Sequence, residues 1–264
     1  MSHDVSPAAA TPSNVFSMKD RIVLVTGASS GFGDHFCRVL AANGAHVVGV
    51  ARRVERLDAL AASTPGITAL RCDVSDPDER RRLVDDVVAR LGRVDVLINN
   101  AGISDAPSAA EVDDIDRFRA VVEINLNAVY HLSSLCSLSM LEHGWGRIVN
   151  IASVHGWVGS SPNKQPAYVA TKGAVISLTR ELALQWADRG INVNAIAPAY
   201  FETELTSSMF EGEDSGLRWI TRNTPMRRGG SLHELDGPLL LLSSDASSYM
   251  TGHCLSVDGG WLAR

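Results

Sequence analysis

The sequence predicts a single α/β domain with a doubly wound, parallel, seven-stranded sheet and helices on both faces. Short, continuously apolar runs such as residues 22–25 are typical of strands buried on both faces, as parallel sheets require. Amphipathic segments with helical spacing separate these runs, and such alternation favours a parallel sheet with right-handed crossovers. A chain of 264 residues is long enough for one unit of this kind.

The predicted elements alternate along the chain from Lys19 onwards. The first helix, with Phe36, Val39 and Leu40 at helical spacing, stops at Gly44, because glycine adopts the left-handed conformation without steric cost. The predicted strands are residues 22–25, 46–50, 67–71, 94–98, 147–151, 191–196 and 253–257. The later predicted helices are residues 54–62, 77–91, 114–143, 167–188 and 232–243.

Composition limits the classes of partner and compartment. The net charge of -6 gives no support for a nucleic-acid partner, and no apolar run approaches the ~20 residues of a membrane span. The four cysteines are scattered without metal-binding spacing, so we expect reduced thiols in a cytoplasmic protein and no metal site. These cysteines are Cys37, Cys72, Cys136 and Cys254.

Two segments stand apart from the alternating pattern. Residues 1–17 are rich in Ser, Pro and Ala and lack the order of a signal peptide, which predicts a flexible extension before a catalytic domain at 18–264. Residues 203–230 are polar and lie between two predicted elements. Long irregular segments of this kind are often binding loops, so we expect a substrate loop or lid there.

A glycine-rich turn joins the first predicted strand to the first predicted helix. Glycines in such a turn allow a tight bend, close approach of the backbone to a pyrophosphate, and close packing of helix on strand. The helix N-terminus then presents unpaired N–H groups to the phosphates. The turn therefore predicts a Rossmann-type dinucleotide site formed by Gly27, Ser29, Ser30, Gly31, Phe32 and Gly33.

The end of the second strand indicates which dinucleotide binds. A carboxylate there would hold the ribose 2′-hydroxyl of NAD, but the expected position is Ala51. Arg52 and Arg53 follow, and a guanidinium suits a phosphate as a bidentate partner, while Ser29 adds a hydroxyl. We expect NADP(H) to be preferred, with NAD(H) as an alternative cofactor. The competing interpretation is that both arginines are solvated surface charges.

Tyr168 and Lys172 lie four residues apart on a predicted helix, so they project from the same face. A free tyrosine has a pKa of about 10, too high for ready proton exchange at neutral pH. A neighbouring ammonium group favours the phenolate and lowers that pKa.

The motifs together resemble the short-chain dehydrogenase/reductase family along residues 19–264. Within the family, residues 192–198 and 257–264 resemble those of the sugar-acid (gluconate and deoxygluconate) dehydrogenases, and residues 154–157 resemble those of the 3-hydroxybutyrate dehydrogenases. The matching pieces follow the family's order: Thr26-Gly27-x-x-x-Gly31-x-Gly33, Asp73-Val74, Asn99-Asn100-Ala101-Gly102, Asn125, Ser153 and Tyr168-x-x-x-Lys172.

The resemblance implies a role for each matched residue. Tyr168 would exchange a proton with the substrate oxygen, and Ser153 would hydrogen-bond that oxygen, where negative charge develops as hydride arrives. Lys172 would bind the nicotinamide ribose and lower the pKa of Tyr168, and Asn125 would hold a water linking Lys172 to solvent. The further cofactor residues implied are Asp73, Val74, Asn100, Ala101, Gly102, Tyr168, Pro198, Ala199, Phe201 and Thr203. Ala199 departs from the family's usual Pro-Gly, and alanine is tolerated there if φ stays negative.

Substrate-binding residues are less sharply indicated than the catalytic ones. The stretch after Ser153 resembles that of the 3-hydroxybutyrate dehydrogenases, in which a His and a Lys face a carboxylate; His155 and Lys164 match them here. The alternative is that His155 and Trp157 only pack the site entrance. Residues 160–165 lengthen the approach to Tyr168, and we expect them to bulge over the site.

These observations predict reversible NADP(H)-linked interconversion of a secondary alcohol and a ketone on a small polar or sugar-derived substrate. One alternative is a β-ketoacyl-carrier-protein reductase, which uses the same catalytic residues. Another is a non-catalytic dinucleotide-binding sensor, which would be expected to lose Tyr168 or Lys172. The resemblance also implies a homotetramer.

Overall fold

A computed structural model describes residues 15–105, 109–112, 114–160, 163–204, 206–210 and 216–263. Most of the predicted N-terminal extension, residues 161–162 of the predicted bulge, and residues 205 and 211–215 of the predicted lid lie outside the described residues. Within the described ranges, no helix combines the length and apolarity needed to cross a membrane.

Seven strands form one sheet in the order β3-β2-β1-β4-β5-β6-β7, and every pair of neighbours is parallel. The predicted fold class is therefore confirmed, and each predicted strand end lies within two residues of the observed one. The strands are β1 Ile22–Thr26, β2 His46–Ala51, β3 Ile67–Arg71, β4 Val96–Asn99, β5 Gly146–Ile151, β6 Ile191–Pro198 and β7 Cys254–Val257.

Helices cover both faces of the sheet, and capping residues set where they begin and end. For example, α3 begins after Asp76, whose carboxylate accepts the N–H groups of Asp78 and Glu79, and ends at Gly92, with a φ of 88°. The helices are α1 Gly31–Ala42, α2 Val54–Ser63, α3 Pro77–Leu91, α4 Ile115–Val122, α5 Ala128–His143, α6 Pro166–Trp186, α7 Ser207–Phe210, α8 Gly216–Asn223 and α9 Asp236–Ser243.

Three sequence predictions about helical segments need correction. The predicted helix at 114–143 is interrupted by a π-helical turn, Glu123–Asn127, between α4 and α5. The predicted irregular segment at 203–230 contains α7 and α8; the latter has one strongly apolar face and buries Ile220. In the segment 232–243 the first turn is a 3₁₀ helix, Leu232–Leu235, before α9.

Alternate residues of β1, an inner strand, pack into the cores on opposite faces of the sheet. Val23 and Val25 of β1 pack with Phe36 and Leu40 of α1, whereas Leu24 belongs to the core on the other face. The chain runs outward from β1 through β2 and β3, then returns to the other side of β1 with β4. The order reverses there, so the carboxyl ends of β1 and β4 open a crevice, which is where parallel sheets of this kind bind ligands.

Candidate active site

A cavity of about 510 Å³ lies along the carboxyl ends of the strands. All of the predicted cofactor residues except Gly33 line it. Eight further residues were not assigned to the site from the sequence: Ala51, Cys72, Ile103, Ile124, Ile151, Ala152, Glu204 and Thr206. Four of them, Ala51, Cys72, Ile151 and Ala152, end or directly follow strands, so a strand end is the sequence signal that indicates these four. In the described part of the chain, no group of three or more His, Cys, Asp or Glu side chains is placed to hold a metal.

The glycine-rich turn is held against the end of β4. Gly27 has a φ of +70°, and a Cβ there would lie 2.9 Å from the Cα of Ala101. A Cβ on Gly33 would lie 2.2 Å from the carbonyl oxygen of Gly27, so Gly33 permits close packing of helix on turn. The Thr26 hydroxyl accepts the N–H groups of Asn100 and Ala101, each at 3.0 Å. These hydrogen bonds hold the ends of β1 and β4 together beside the crevice.

The N-terminus of α1 is left open toward the cavity. Ser30 occupies the N-cap position, but its side chain does not cap the helix; its hydroxyl accepts Nη2 of Arg53 at 2.6 Å instead. Gly31 and Phe32 of the first turn line the cavity. Free N–H groups at a helix start, with backbone that a Cβ would obstruct, form a cradle that fits a pyrophosphate.

At the far end of the cavity, Arg53 rather than Arg52 reaches the turn. Nε of Arg53 donates to the Ser29 hydroxyl at 3.1 Å, while Arg52 is largely exposed with Nη1 3.9 Å from Asp73. Burial opposes the charge on Asp73, but hydrogen bonds from Ser75 and the nearby arginines outweigh it and hold the pKa of Asp73 below its usual value. Ala51 ends β2 without a carboxylate.

Glu204 is a charged residue of the cavity wall that sequence reasoning missed. Its carboxylate accepts Nη1 of Arg53 at 2.8 Å and Nη1 of Arg56 at 2.9 Å. The hydrogen bond from Arg53, with help from Ser30 and Arg56, lowers the pKa of Glu204 to about 2. No local motif indicates this contact, because Glu204 lies 151 residues from Arg53 in the chain.

Of the four predicted catalytic residues, Tyr168 and Lys172 line the cavity, whereas Ser153 and Asn125 contact this group without lining it. Ser153 follows β5 and hydrogen-bonds the phenol of Tyr168, and its hydroxyl also accepts the N–H of His155 at 3.2 Å. Nζ of Lys172 lies 5.5 Å from the centroid of the Tyr168 ring and donates to the carbonyl of Ile151 at 2.6 Å. The one-turn spacing on α6 therefore places both side chains beside the end of β5, as the sequence predicts.

Burial controls the ionisation of this group. It raises the pKa of Tyr168, an effect that the hydrogen bond from Ser153 only partly offsets. It also lowers the pKa of Lys172 to about 8. The sequence predicts that Lys172 lowers the pKa of Tyr168. In the structure of the chain alone, removal of water from around the phenol has the larger effect and raises this pKa.

Asn125 lies in the π-helical turn, fully buried beside this group. Its amide pairs with the backbone of Ile103, accepting the N–H at 2.9 Å and donating to the carbonyl at 2.8 Å. A Cβ on Gly102 would lie 3.4 Å from Oδ1 of Asn125 and 3.8 Å from Nζ of Lys172. Asn125 thus holds the loop after β4 against the lysine, and π turns are frequent at functional sites. Its link to a water stays a prediction.

Asp105 is a second residue that sequence reasoning missed. Its two carboxylate oxygens accept the N–H groups of Ala167 at 2.8 Å and Tyr168 at 2.9 Å, which caps α6 from a distant loop. A weak signal exists in the sequence: Pro166 marks a helix start, but Gln165 before it is a poor N-cap residue, so the cap has to come from elsewhere.

The predicted substrate residues lie at the edge of the site. His155 is buried, with Nε2 2.9 Å from the Tyr200 hydroxyl, whereas Lys164 is exposed. Tyr200 packs against Trp219 of α8 and Trp261, so His155 belongs to an aromatic wall. Direct contact of His155 or Lys164 with substrate stays a prediction.

The departure at Ala199 is accommodated. Among the described residues other than glycine, only Asp20 and Arg227 have a positive φ. Ala199 therefore keeps a negative φ and lines the cavity without backbone strain.

This combination of fold, cradle and catalytic group defines a nicotinamide-dependent oxidoreductase, and comparison with known proteins supports it. The profile of the short chain dehydrogenase family matches residues 21–214, so the chain belongs to that family.

Three relatives illustrate the similarity. A 2-dehydro-3-deoxy-D-gluconate 5-dehydrogenase of Dickeya dadantii (strain 3937) is 36% identical, over 95% of this chain and 99% of the relative. A 3-oxoacyl-(acyl-carrier-protein) reductase of Salmonella typhimurium is 35% identical, over 92% and 98%. The crystal structure of a gluconate 5-dehydrogenase from Burkholderia cenocepacia J2315 with NADP and tartrate has a TM-score of 0.90 and 32% identity, covering 96% and 100%.

Proposed function

We propose that this oxidoreductase is NADP(H)-dependent and interconverts a secondary alcohol and a ketone on a small polar, sugar-derived substrate. The observation that carries the proposal is the grouping of Ser153, Tyr168 and Lys172: Tyr168 and Lys172 line one end of the cavity, and Ser153 hydrogen-bonds Tyr168. At the other end of the same cavity, Arg53 lies across Ser29 of the dinucleotide turn.

The cofactor, when bound, supplies or accepts the hydride. Residues 27–33 would hold its pyrophosphate, and Lys172 would hold the nicotinamide ribose. Ser153 and Tyr168 then offer hydroxyl groups to the substrate oxygen, where negative charge develops during reduction. Tyr168 donates the proton to that oxygen, and the positive charge of Lys172 favours the phenolate that remains. In the oxidative direction Tyr168 accepts the proton instead.

The preference for NADP(H) is supported by the two arginines after β2 and by the NADP in the Burkholderia relative. Arg52→Ala and Arg53→Ala, each assayed with both cofactors, test it. We expect each to reduce the NADP/NAD ratio of kcat/KM, with the larger effect at Arg53 because it already contacts the turn. An unchanged ratio in both variants would contradict the preference.

A sugar acid is the first substrate class we propose, because the Dickeya and Burkholderia relatives are named as sugar-acid dehydrogenases and the latter holds tartrate. The test is a panel of sugar acids, 3-hydroxy acids, cyclic alcohols and acyl thioester mimics, followed at the nicotinamide absorbance with both cofactors. Turnover confined to compounds outside the sugar acids would refute this substrate class.

Carrier-protein reduction is the second candidate, because the Salmonella reductase is almost as similar to this chain as the Dickeya enzyme. Docking an acidic carrier requires basic side chains near the site mouth. Arg222 on α8 and Arg227 after it are exposed, whereas both terminal nitrogens of Arg228 pair with Glu234 at 2.7 Å. Faster turnover of acyl thioester mimics than of every sugar acid would favour this candidate.

We also propose that the chain forms a homotetramer through α5 and α6. Tyr130 and Leu138 on α5 and Leu184 on α6 are large apolar side chains left exposed in the single chain, Leu184 by 81%. Such surface is typical of contacts between protein chains. Light scattering after size exclusion is the test, and a monomer at working concentration would refute the assembly.

A further inference from the structure

Glu204 lies at the place in the cavity where a ribose 2′-phosphate is expected. Arg53 uses Nε and Nη2 to donate to Ser29 and Ser30 of the dinucleotide turn, and Nη1 to donate to Glu204. The second carboxylate oxygen of Glu204 accepts from Arg56 at 2.9 Å. One carboxylate therefore already engages two of the three arginines near this end of the cavity.

The backbone around Glu204 is held in place by local hydrogen bonds. The N–H of Thr203 donates to the Thr206 hydroxyl at 3.0 Å, and that hydroxyl donates to the carbonyl of Phe201. Phe201 is itself buried and bridged to Gly230. The Glu204 carboxylate thus lies on an ordered part of the cavity wall, and its salt bridges to Arg53 and Arg56 hold it beside Arg53.

A phosphate monoester carries between one and two negative charges near neutral pH, with a second pKa of about 6. It would compete with the Glu204 carboxylate for the Arg53 guanidinium and would be repelled by it. NAD has only a hydroxyl at this position, which leaves the pair between Glu204 and Arg53 intact.

We propose that Glu204 is a specificity-determining residue. Its carboxylate competes with the 2′-phosphate for the Arg53 guanidinium, which reduces the preference for NADP over NAD and allows the enzyme to use NAD as well. This inference rests on the proposed binding of the 2′-phosphate at Arg53. It assigns to Glu204 no part in the chemistry at Tyr168.

The test is Glu204→Gln, which removes the charge and keeps the size of the side chain, with Glu202→Gln as the matched control. Glu202 is exposed and lies in the same segment, so its variant changes the net charge equally. Calorimetric titration of the full chain at low salt would use 2′,5′-ADP and 5′-AMP, which differ only by the 2′-phosphate, and then NADP and NAD.

We expect Glu204→Gln to bind 2′,5′-ADP and NADP about three- to tenfold more tightly, the size expected for losing one or two competing surface ion pairs. Affinity for 5′-AMP and NAD should stay within about twofold, and Glu202→Gln should resemble the wild type. At about 1 M salt the difference should shrink, because the screening length falls to about 3 Å.

Unchanged binding of 2′,5′-ADP by Glu204→Gln would overturn the inference, and weaker binding would overturn it and indicate that the carboxylate positions Arg53 for the phosphate. Arg53→Ala separates this failure from failure of the proposed cofactor. If Arg53→Ala weakens 2′,5′-ADP but Glu204→Gln has no effect, only the role of Glu204 is wrong. If Arg53→Ala and Arg52→Ala both leave the two nucleotides unchanged, the NADP site itself is wrong.

Discussion

Replacing Asp105 with alanine should disturb both the stability of the protein and the placement of its proton donor. Asp105 is only 8% exposed, and its carboxylate accepts the N–H groups of Ala167 and Tyr168 in the first turn of α6. A helix cap contributes about 1 kcal/mol, and a buried hydrogen bond to a charged group contributes up to about 3 kcal/mol. We therefore expect a loss of about 2 kcal/mol, or about 4–8 °C in Tm for a chain of this size.

The catalytic effect should exceed what destabilisation explains. The N–H of Tyr168 is one of the two groups that lose their acceptor, so fraying of this turn moves the phenol relative to Ser153. A misplacement of 1 Å costs up to about 10²-fold in rate, and we expect kcat to fall about ten- to a hundredfold. The KM for the cofactor should change little, because the dinucleotide turn joins β1 to α1 and is not part of α6.

Asp76→Ala is the matched control, because Asp76 caps α3 through the N–H groups of Asp78 and Glu79, also ahead of a proline at the first helical position. Thermal unfolding should show a smaller loss of stability, and steady-state kinetics should show unchanged kcat. If Asp105→Ala retained the kcat of Asp76→Ala under conditions where both are folded, the positioning role of Asp105 would be refuted.

Three further predictions concern the site itself. Tyr168→Phe should lower kcat about 10²–10⁴-fold while cofactor affinity stays within about twofold, because only the proton donor is lost; near-normal turnover would contradict the mechanism. Lys172→Met should raise stability at pH 7, because burial lowers the pKa of Lys172 from 10.5 to about 8 and so destabilises the folded protein by about 3 kcal/mol. The variant also loses the hydrogen bond to Ile151, which reduces the gain by about 1 kcal/mol. Between pH 8 and 10.5 Lys172 keeps its proton in the unfolded chain but loses it in the folded protein, so the stability of the wild type rises with pH across this window. The stability difference between the variant and the wild type should therefore disappear there. A constant difference in thermal unfolding across the window would show that Lys172 is not the cause. Gly33→Ala places a Cβ 2.2 Å from the Gly27 carbonyl, so cofactor affinity should fall at least about tenfold in fluorescence titration; wild-type affinity in a folded variant would rule out the cradle.

Local patterns accounted for most of the architecture because their physical causes are local. Continuous apolar runs mark β1 and β4, since a strand covered on both faces has no polar side. Gly92 and Gly144 end their helices with positive φ, which depends on the residue alone. The π-helical turn at Glu123–Asn127 escaped prediction, since its apolar spacing resembles that of an α-helix.

The sequence by itself determined the class of chemistry in this protein. Tyr168 and Lys172 share a helix face at a fixed spacing, and the glycines of the turn are required by backbone sterics, so neither depends on distant contacts. Only the tertiary structure decided what surrounds them. It partly buried Tyr168 so that its pKa rises, brought Asp105 to cap the catalytic helix, and set Glu204 against Arg53. These contacts join residues far apart in the chain and arise when strand ends meet at one edge of the sheet, which no local pattern encodes.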